Sequence, residues 1–194
     1  MNIRILKNEE LSHAAGLSRY VFDACLRGRM EFTQSIPFIE DYISEINIRT
    51  MCSENRLIVW GAFEGEQLVA VGGMQPNGMI TLLYVLPQYA GRGCGMNLLQ
   101  VMRGYAKDML HLTKVLVNVT PSWTSVYFKK NGFAPLNTDS AIGVPFVSME
   151  APTDAPGLQK KEKISGFTIF FATLSCVGFA TIASVLFMLF YLLG

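Results

Sequence analysis

The chain has 194 residues, room for one domain and an additional segment. Sixteen basic and fifteen acidic residues give a formal charge of +1. Residues 1–150 balance at 13 of each, which excludes the basic field that nucleic-acid binding needs. Hydrophobic residues make up 51%, and the excess is local, because no charged residue occurs from Ile164 to Gly194.

Ile3 to Leu6 reads as a first strand. Asn8 is placed to cap a helix, with Glu9 and Glu10 in its first turn and Leu11, Ala14, Ala15, Leu17, Val21, Phe22 and Cys25 on one face. Residues 27–37 break that pattern. Phe38, Ile39, Tyr42, Ile43 and Ile46 predict one face of a second helix. Leu57–Phe63 and Leu68–Met74 read as strands joined by a hairpin at Glu64-Gly65-Glu66. Asn77-Gly78 turns the chain into a third strand of this group, Met79–Leu86, a nearly continuous apolar run expected to be buried on both faces. Pro87 ends it. Leu98, Leu99, Met102, Tyr105 and Met109 predict a helix, Lys114–Val119 a strand and Ser122–Asn131 a short helix. Gly132-Phe133 leads to a last hairpin closing on Val144–Met149. The order βααβββαβαββ calls for a mixed α/β sheet with parallel and antiparallel neighbours, flanked by helices.

The four cysteines, Cys25, Cys52, Cys94 and Cys176, have neither a CxxC nor a metal-ligand spacing. They read as reduced thiols, and no metal site is expected. His13 and His111 read as surface residues, Trp60 and Trp123 as packing residues. The N-terminus, with Arg4, Lys7, Glu9 and Glu10, has no apolar signal-peptide core.

Between the Met79 strand and the Leu98 helix lies Gly91-Arg92-Gly93-Cys94-Gly95. The order strand, glycine loop, helix makes an anion site. The first amides of a helix lack intrahelical partners and sit at the positive end of its dipole, and glycine lets a phosphate approach the backbone. A Walker A loop is excluded because Met96 follows Gly95. A dinucleotide fingerprint is excluded because no third glycine stands at Met96 or Leu98. What remains resembles motif A of the GNAT superfamily of N-acetyltransferases, Arg/Gln-x-x-Gly-x-Gly/Ala. Gly93 and Gly95 match its glycines, and Ala90 stands at the Arg/Gln position. A second register runs from Gln88 through Gly91 and Gly93. The resemblance extends to Tyr127-Phe128-Lys129-Lys130-Asn131-Gly132-Phe133 and to the ending Gly143–Met149, and covers about residues 1–150.

The resemblance implies a GNAT-like fold and direct transfer of acetyl from acetyl-CoA, the acyl donor, to a small amine or a peptide amine. It implies that the backbone of Gly91, Arg92, Gly93, Cys94, Gly95 and Met96 holds the CoA pyrophosphate. Tyr84, Val85 and Leu86 would lend backbone groups to pantetheine and the thioester carbonyl, with Asn118 either contacting pantetheine or serving as a turn residue at a strand end. The family's general acid, a tyrosine, falls by count on Phe128. Tyr127 lies one step, about 100° of helix, away, so either Tyr127 or water protonates the thiolate. Glu31, in the segment that builds the acceptor wall, would be the base or steer a cationic amine. The alternative, favoured by Ala90 and Phe128, is a catalytically weak acyl-CoA-binding module. Cys94 reads as a space-filler.

Residues 151–163 read as a linker. Ile164–Leu193 is 30 uncharged residues, more than the roughly 20 a membrane-spanning helix needs. Lys160, Lys161 and Lys163 precede it and nothing basic follows, so the positive-inside rule keeps residues 1–150 in the cytoplasm of a single-pass membrane protein. Ala172, Cys176, Ala180 and Ser184 recur every four residues and could pair such helices into a homo-oligomer.

Overall fold

The computed structural model describes residues 1–136 and 146–154. The expected membrane helix over 164–193, its small-residue ladder and most of the linker lie outside the described residues. Among the described residues no helix is long and apolar enough to cross a membrane.

The elements are β1 (Asn2–Ile5), α1 (Leu11–Val21), α2 (Ile36–Tyr42), α3 (Glu45–Ser53), β2 (Ile58–Glu64), β3 (Gln67–Met74), β4 (Met79–Val85), α4 (Cys94–Asp108), β5 (Lys114–Val119), α5 (Ser125–Lys130), β6 (Ala134–Pro135) and β7 (Val147–Pro152). This is the expected order with one helix added. The predicted second helix is two. Ser44 leaves helical conformation at φ −64°, ψ 148°, and its hydroxyl accepts from the Asn47 amide, so the chain restarts as α3. A polar cap in the middle of an apolar stripe ended the periodicity. Phe38 and Ile46, expected inside, are 70% and 80% exposed; Ile48 and Met51 take the inner face of α3. Met109 likewise lies past the end of α4 and is exposed.

The seven strands form one sheet in the order β1-β2-β3-β4-β5-β7-β6. Every pair is antiparallel except β4–β5. α4 covers one face with Leu98, Leu99, Met102 and Ala106, joined by Phe128 and Phe133. α1, α2 and α3 cover the other over Val59, Val71 and Leu82. Trp60 is buried edge-on against Tyr105, as a packing residue should be. His13 and His111 are exposed. Cys52 and Cys94 are free thiols, as expected.

After α1 the helix continues through a π-helical turn, Phe22–Leu26, before the irregular 27–37 segment. Arg19 and Arg27 bridge Asp23 and Glu40 there, which ties α1 to α2. At the start of α1, Arg4 donates to both oxygens of Glu10, at 2.6 and 2.7 Å, and the Lys7 amide donates to one of them at 2.8 Å.

Those two partners, Arg4 first and then the Lys7 amide, lower the Glu10 carboxyl from its ordinary 4.5 to about 2. Because the folded value lies below the unfolded one, Glu10 stabilises the fold above about pH 4.5, and that contribution is lost as the pH falls toward 2. In urea titrations across this window, Glu10→Gln is expected to show a shallower loss of stability than the parent.

Candidate active site

The site is built where β4 leaves β5. Ile80 pairs with Met74 on β3, and Leu82 with Gly73, so Thr81 has no partner in that ladder. An extra residue of this kind bends a strand and turns later side chains to the opposite face. Ile80 packs in the α4 core, whereas Leu82 packs in the α1–α3 core. The parallel pairing to β5 consists of Met79 with Leu116 and Ile80 with Val117, and stops at the bulge. From Leu82 onward the edge of β4 facing β5 is open.

Strand alternation decides which groups face that gap. The Leu86 amide donates to Val69 on β3 at 3.0 Å. The backbone groups of Val85 and Leu83 therefore point the other way, into the gap. Of the three residues expected to lend backbone groups, Val85 is placed to do so, while Leu86 spends its amide on the sheet. Side chains alternate as well. Val85 packs on the α4 core and Tyr84 on the α1–α3 core.

A single turn at Pro87–Tyr89 then leads to the glycine loop. Gly91 and Gly93 have φ of 74° and 85°, values that favour glycine. Gly93 caps α4, and its carbonyl receives the first turn-closing bond, from the Asn97 amide at 2.9 Å. The amides of Cys94, Gly95 and Met96 precede that bond and lie at the positive end of a 15-residue helix. Arg92 is exposed over the Tyr89 ring, adding a positive charge beside the loop. Cys94 is buried, its thiol donating to the Tyr89 carbonyl at 3.7 Å; burial above all pushes it up from its ordinary value. It fills space and is not an activated thiolate.

Tyr127 reaches this loop and Phe128 does not. Phe128 is buried in the α4 core, edge-on to Phe133. A Cβ placed on Gly95 would lie 2.5 Å from Tyr127 Oη and 3.5 Å from Val85 Cγ2, so glycine loop, acid candidate and open strand meet at Gly95. The Tyr127 hydroxyl is buried with no hydrogen-bond partner. Burial first, and then the Cys94 thiol, raise its pKa, so it stays protonated at neutral pH. α5 is held in place by its C-cap. Asn131 Nδ2 donates to the Tyr127 carbonyl at 2.8 Å. The buried Arg103 of α4 donates to the Asn131 carbonyl at 3.2 Å and to the Pro152 carbonyl at 2.6 Å.

Glu31 is exposed, and both its oxygens are engaged by Ser122, through the backbone amide at 3.1 Å and the hydroxyl at 2.5 Å. The carboxylate thus fastens the 27–37 segment to the turn that begins α5. Asn118 lies within β5, not at a turn, and accepts from the Ser148 hydroxyl at 3.0 Å. Sequence reasoning missed Leu83, the Thr81 bulge and Ser122, none of which left a signal in the local pattern. Among the described residues no group of His, Cys, Asp and Glu could hold a metal ion.

A parallel strand pair that parts beside a glycine-capped helix defines a coenzyme A acyltransferase architecture. Residues 31–152 match the acetyltransferase (GNAT) domain, more than half of the chain, and the chain belongs to that family of N-acyltransferases, which use acetyl-CoA as acyl donor. The PaiA N-acetyltransferase from Thermoplasma acidophilum, solved in complex with coenzyme A, is similar with a TM-score of 0.64 and 21% identity, covering 78% of this chain and 99% of that one. The aminoglycoside 6′-acetyltransferase type Ii gives 0.60 at 13% identity, covering 80% and 99%. A variant of the spermidine N-acetyltransferase SpeG from Vibrio cholerae gives 0.53 at 14%, covering 84% and 100%. At these identities the likeness is one of fold. No curated protein matches the chain in sequence.

Gly93→Glu would put a carboxylate where the open amides point. It is expected to abolish coenzyme A binding in calorimetry, whereas Gly93→Ala, which carries the same backbone strain at φ 85° without the charge, is expected to keep part of the affinity. Normal affinity in the folded variant would remove the loop as the pyrophosphate site.

Proposed function

We propose that this protein transfers acetyl from acetyl-CoA to a primary amine by direct attack, with Tyr127 as the general acid. The observation that carries the reading is the unpartnered Tyr127 hydroxyl against Gly95, between the open amides of α4 and Val85. The open amides of α4, with Arg92 beside them, take the pyrophosphate. Pantetheine runs in the gap between β4 and β5, against the backbone of Val85 and Leu83, and one of these amides polarises the thioester carbonyl. The amine nitrogen attacks that carbon, the C–S bond breaks, and the thiolate takes the Tyr127 proton. The proton lost by the amine passes to solvent or to Glu31, which is exposed and, bonded only to the neutral amide and hydroxyl of Ser122, remains an anion that can take a proton or steer a cationic amine. The products are an N-acetyl amide and free coenzyme A. Tyr127 also argues against the weak acyl-CoA-binding module, since it supplies the hydroxyl that Phe128 lacks.

The same reading places the domain at the cytoplasmic face of a membrane, held by a linker that begins past the end of β7 at Pro152, later than the expected 151, and by a single span over 164–193. Its support is in the sequence: 30 uncharged residues behind Lys160, Lys161 and Lys163.

Tyr127→Phe removes only a hydroxyl. It is expected to lower kcat by roughly 10²–10⁴-fold, the usual contribution of a general acid, with coenzyme A affinity unchanged. Turnover at the parent rate would assign the proton to water. Full-length protein is expected to stay in the membrane pellet after alkaline carbonate extraction, with residues 1–150 open to protease from the cytoplasmic side. Release into the supernatant would remove the anchor.

A further inference from the structure

The Tyr127 hydroxyl makes no hydrogen bond, so no bond at its tip fixes where it points. Its place against Gly95 is inherited from the backbone that carries it. That backbone is α5, which has six residues and is too short to hold a helix by its own bonds. Its end is a left-handed turn, with Gly132 at φ 82°. Asn131 closes this turn twice on Tyr127. Its amide donates to the Tyr127 carbonyl at 3.2 Å and its Nδ2 at 2.8 Å. The Tyr127 carbonyl is thus held by one residue, and the carbonyl of that residue is held by Arg103 at 3.2 Å.

Arg103 follows Gly95 on α4 by eight positions, about 12 Å along the helix at 1.5 Å per residue. One helix therefore carries both the surface that the Tyr127 hydroxyl meets and the cation that holds the far end of α5. The guanidinium is buried, and burial lowers its pKa with no carboxylate beside it to raise it. Its two bonds go to carbonyls, Nη1 to Asn131 and Nη2 to Pro152 at 2.6 Å. Pro152 ends β7 and pairs with Lys114 of β5, so the fork ties the α5 cap to the sheet. A Cβ on Gly132 would lie 3.9 Å from Nη1, which puts the cap turn directly on the guanidinium. A buried cation without a counter-ion is costly, and an apolar side chain fills a seam at less cost. What an apolar side chain cannot do is hold two carbonyls at fixed angles, as a planar fork does.

Resting on the reading of Tyr127 as general acid, we propose that Arg103 is a positioning residue for acyl transfer: its guanidinium, fixed between the Pro152 and Asn131 carbonyls, holds α5 so that the Tyr127 hydroxyl meets the thiolate formed beside Gly95 and Val85. Asn131 carries the connection. Arg103 acts through α5 and not on the reacting atoms. A misplacement of about 1 Å in a reacting group costs up to about 10²-fold in rate, so a residue of this kind shows in kcat and not in KM.

The test uses the full chain with acetyl-CoA and three primary amines, ethanolamine, glucosamine and spermidine, the fastest of which serves as acceptor in a thiol-release assay. Arg103→Lys keeps a cation but loses the fork. Asn131→Ala keeps the carbonyl that Arg103 bonds and removes the side-chain bond to Tyr127, and it decides the point if Arg103→Lys does not fold. Each variant is expected to lower kcat about ten- to a hundredfold. Acceptor KM and coenzyme A affinity are expected to stay within about twofold of the parent. In the Tyr127→Phe background neither is expected to lower kcat by more than about twofold further, since no proton is left to place. An equal loss in both backgrounds overturns the proposal and leaves the acid reading standing. A parent kcat in either folded variant overturns it too, whatever happens to KM. Tyr127→Phe at the parent rate overturns the acid reading and the proposal with it. If none of the three amines turns over, the Tyr127 ring carbon resonances, assigned by their loss in Tyr127→Phe, decide with coenzyme A bound. Shifted resonances in both variants uphold the positioning, and unchanged ones overturn it.

Discussion

The parting of β4 from β5 is the constraint on which the rest of the site depends. A parallel pair closed along its length would bond every backbone group of β4 and leave no room between the strands. Here the ladder ends at Ile80 and Val117, because Thr81 is an extra residue against β3. β4 keeps its bonds to β3, so it does not fray; it turns one bonded edge into an open one. The bulge also reverses which face each later side chain takes. That puts Val85 with the helix that carries the glycine loop and Tyr84 with α1, α2 and α3.

The two faces of the sheet consequently have different chemistry. On the α4 face, amides without acceptors and Arg92 beside them make a positive site for a phosphorylated ligand. On the α1–α3 face Arg19 and Arg27 pair with Asp23 and Glu40, Glu31 accepts from the neutral Ser122, and buried hydroxyls of Ser18, Ser35 and Tyr42 have no partner. The charge balance of residues 1–150 hides this division, since it arises from which groups pair and not from how many there are.

Tyr127 shows how a side chain one step out of register can still arrive. Its position is set by several contacts together: the Asn131 cap, the Arg103 guanidinium that holds the cap, Phe128 anchored in the core, and Gly95, which has no side chain to exclude the hydroxyl. A buried guanidinium bonded to two carbonyls is a costly way to fix a short helix, and the α4–α5–β7 seam is where it is used.

The sequence by itself determined the element order apart from one helix, the hairpin at Gly65 and the glycine loop at the head of a helix; β4, expected to be buried on both faces, is fully buried only at Ile80 and Leu82. The first three rest on local physics: period, turn chemistry and the geometry of glycine. Residues near in sequence fix them without help from the rest of the chain. It misjudged the α2–α3 boundary, because the Ser44 cap interrupts a stripe that otherwise continues. Only the tertiary structure decided which strand edge is open, that Glu31 is bonded to Ser122, that Asn118 lies in a strand beside Ser148, and that Tyr127 and not Phe128 meets Gly95. Those facts join residues 30 to 91 positions apart, and no periodicity within one element records contacts made across such distances.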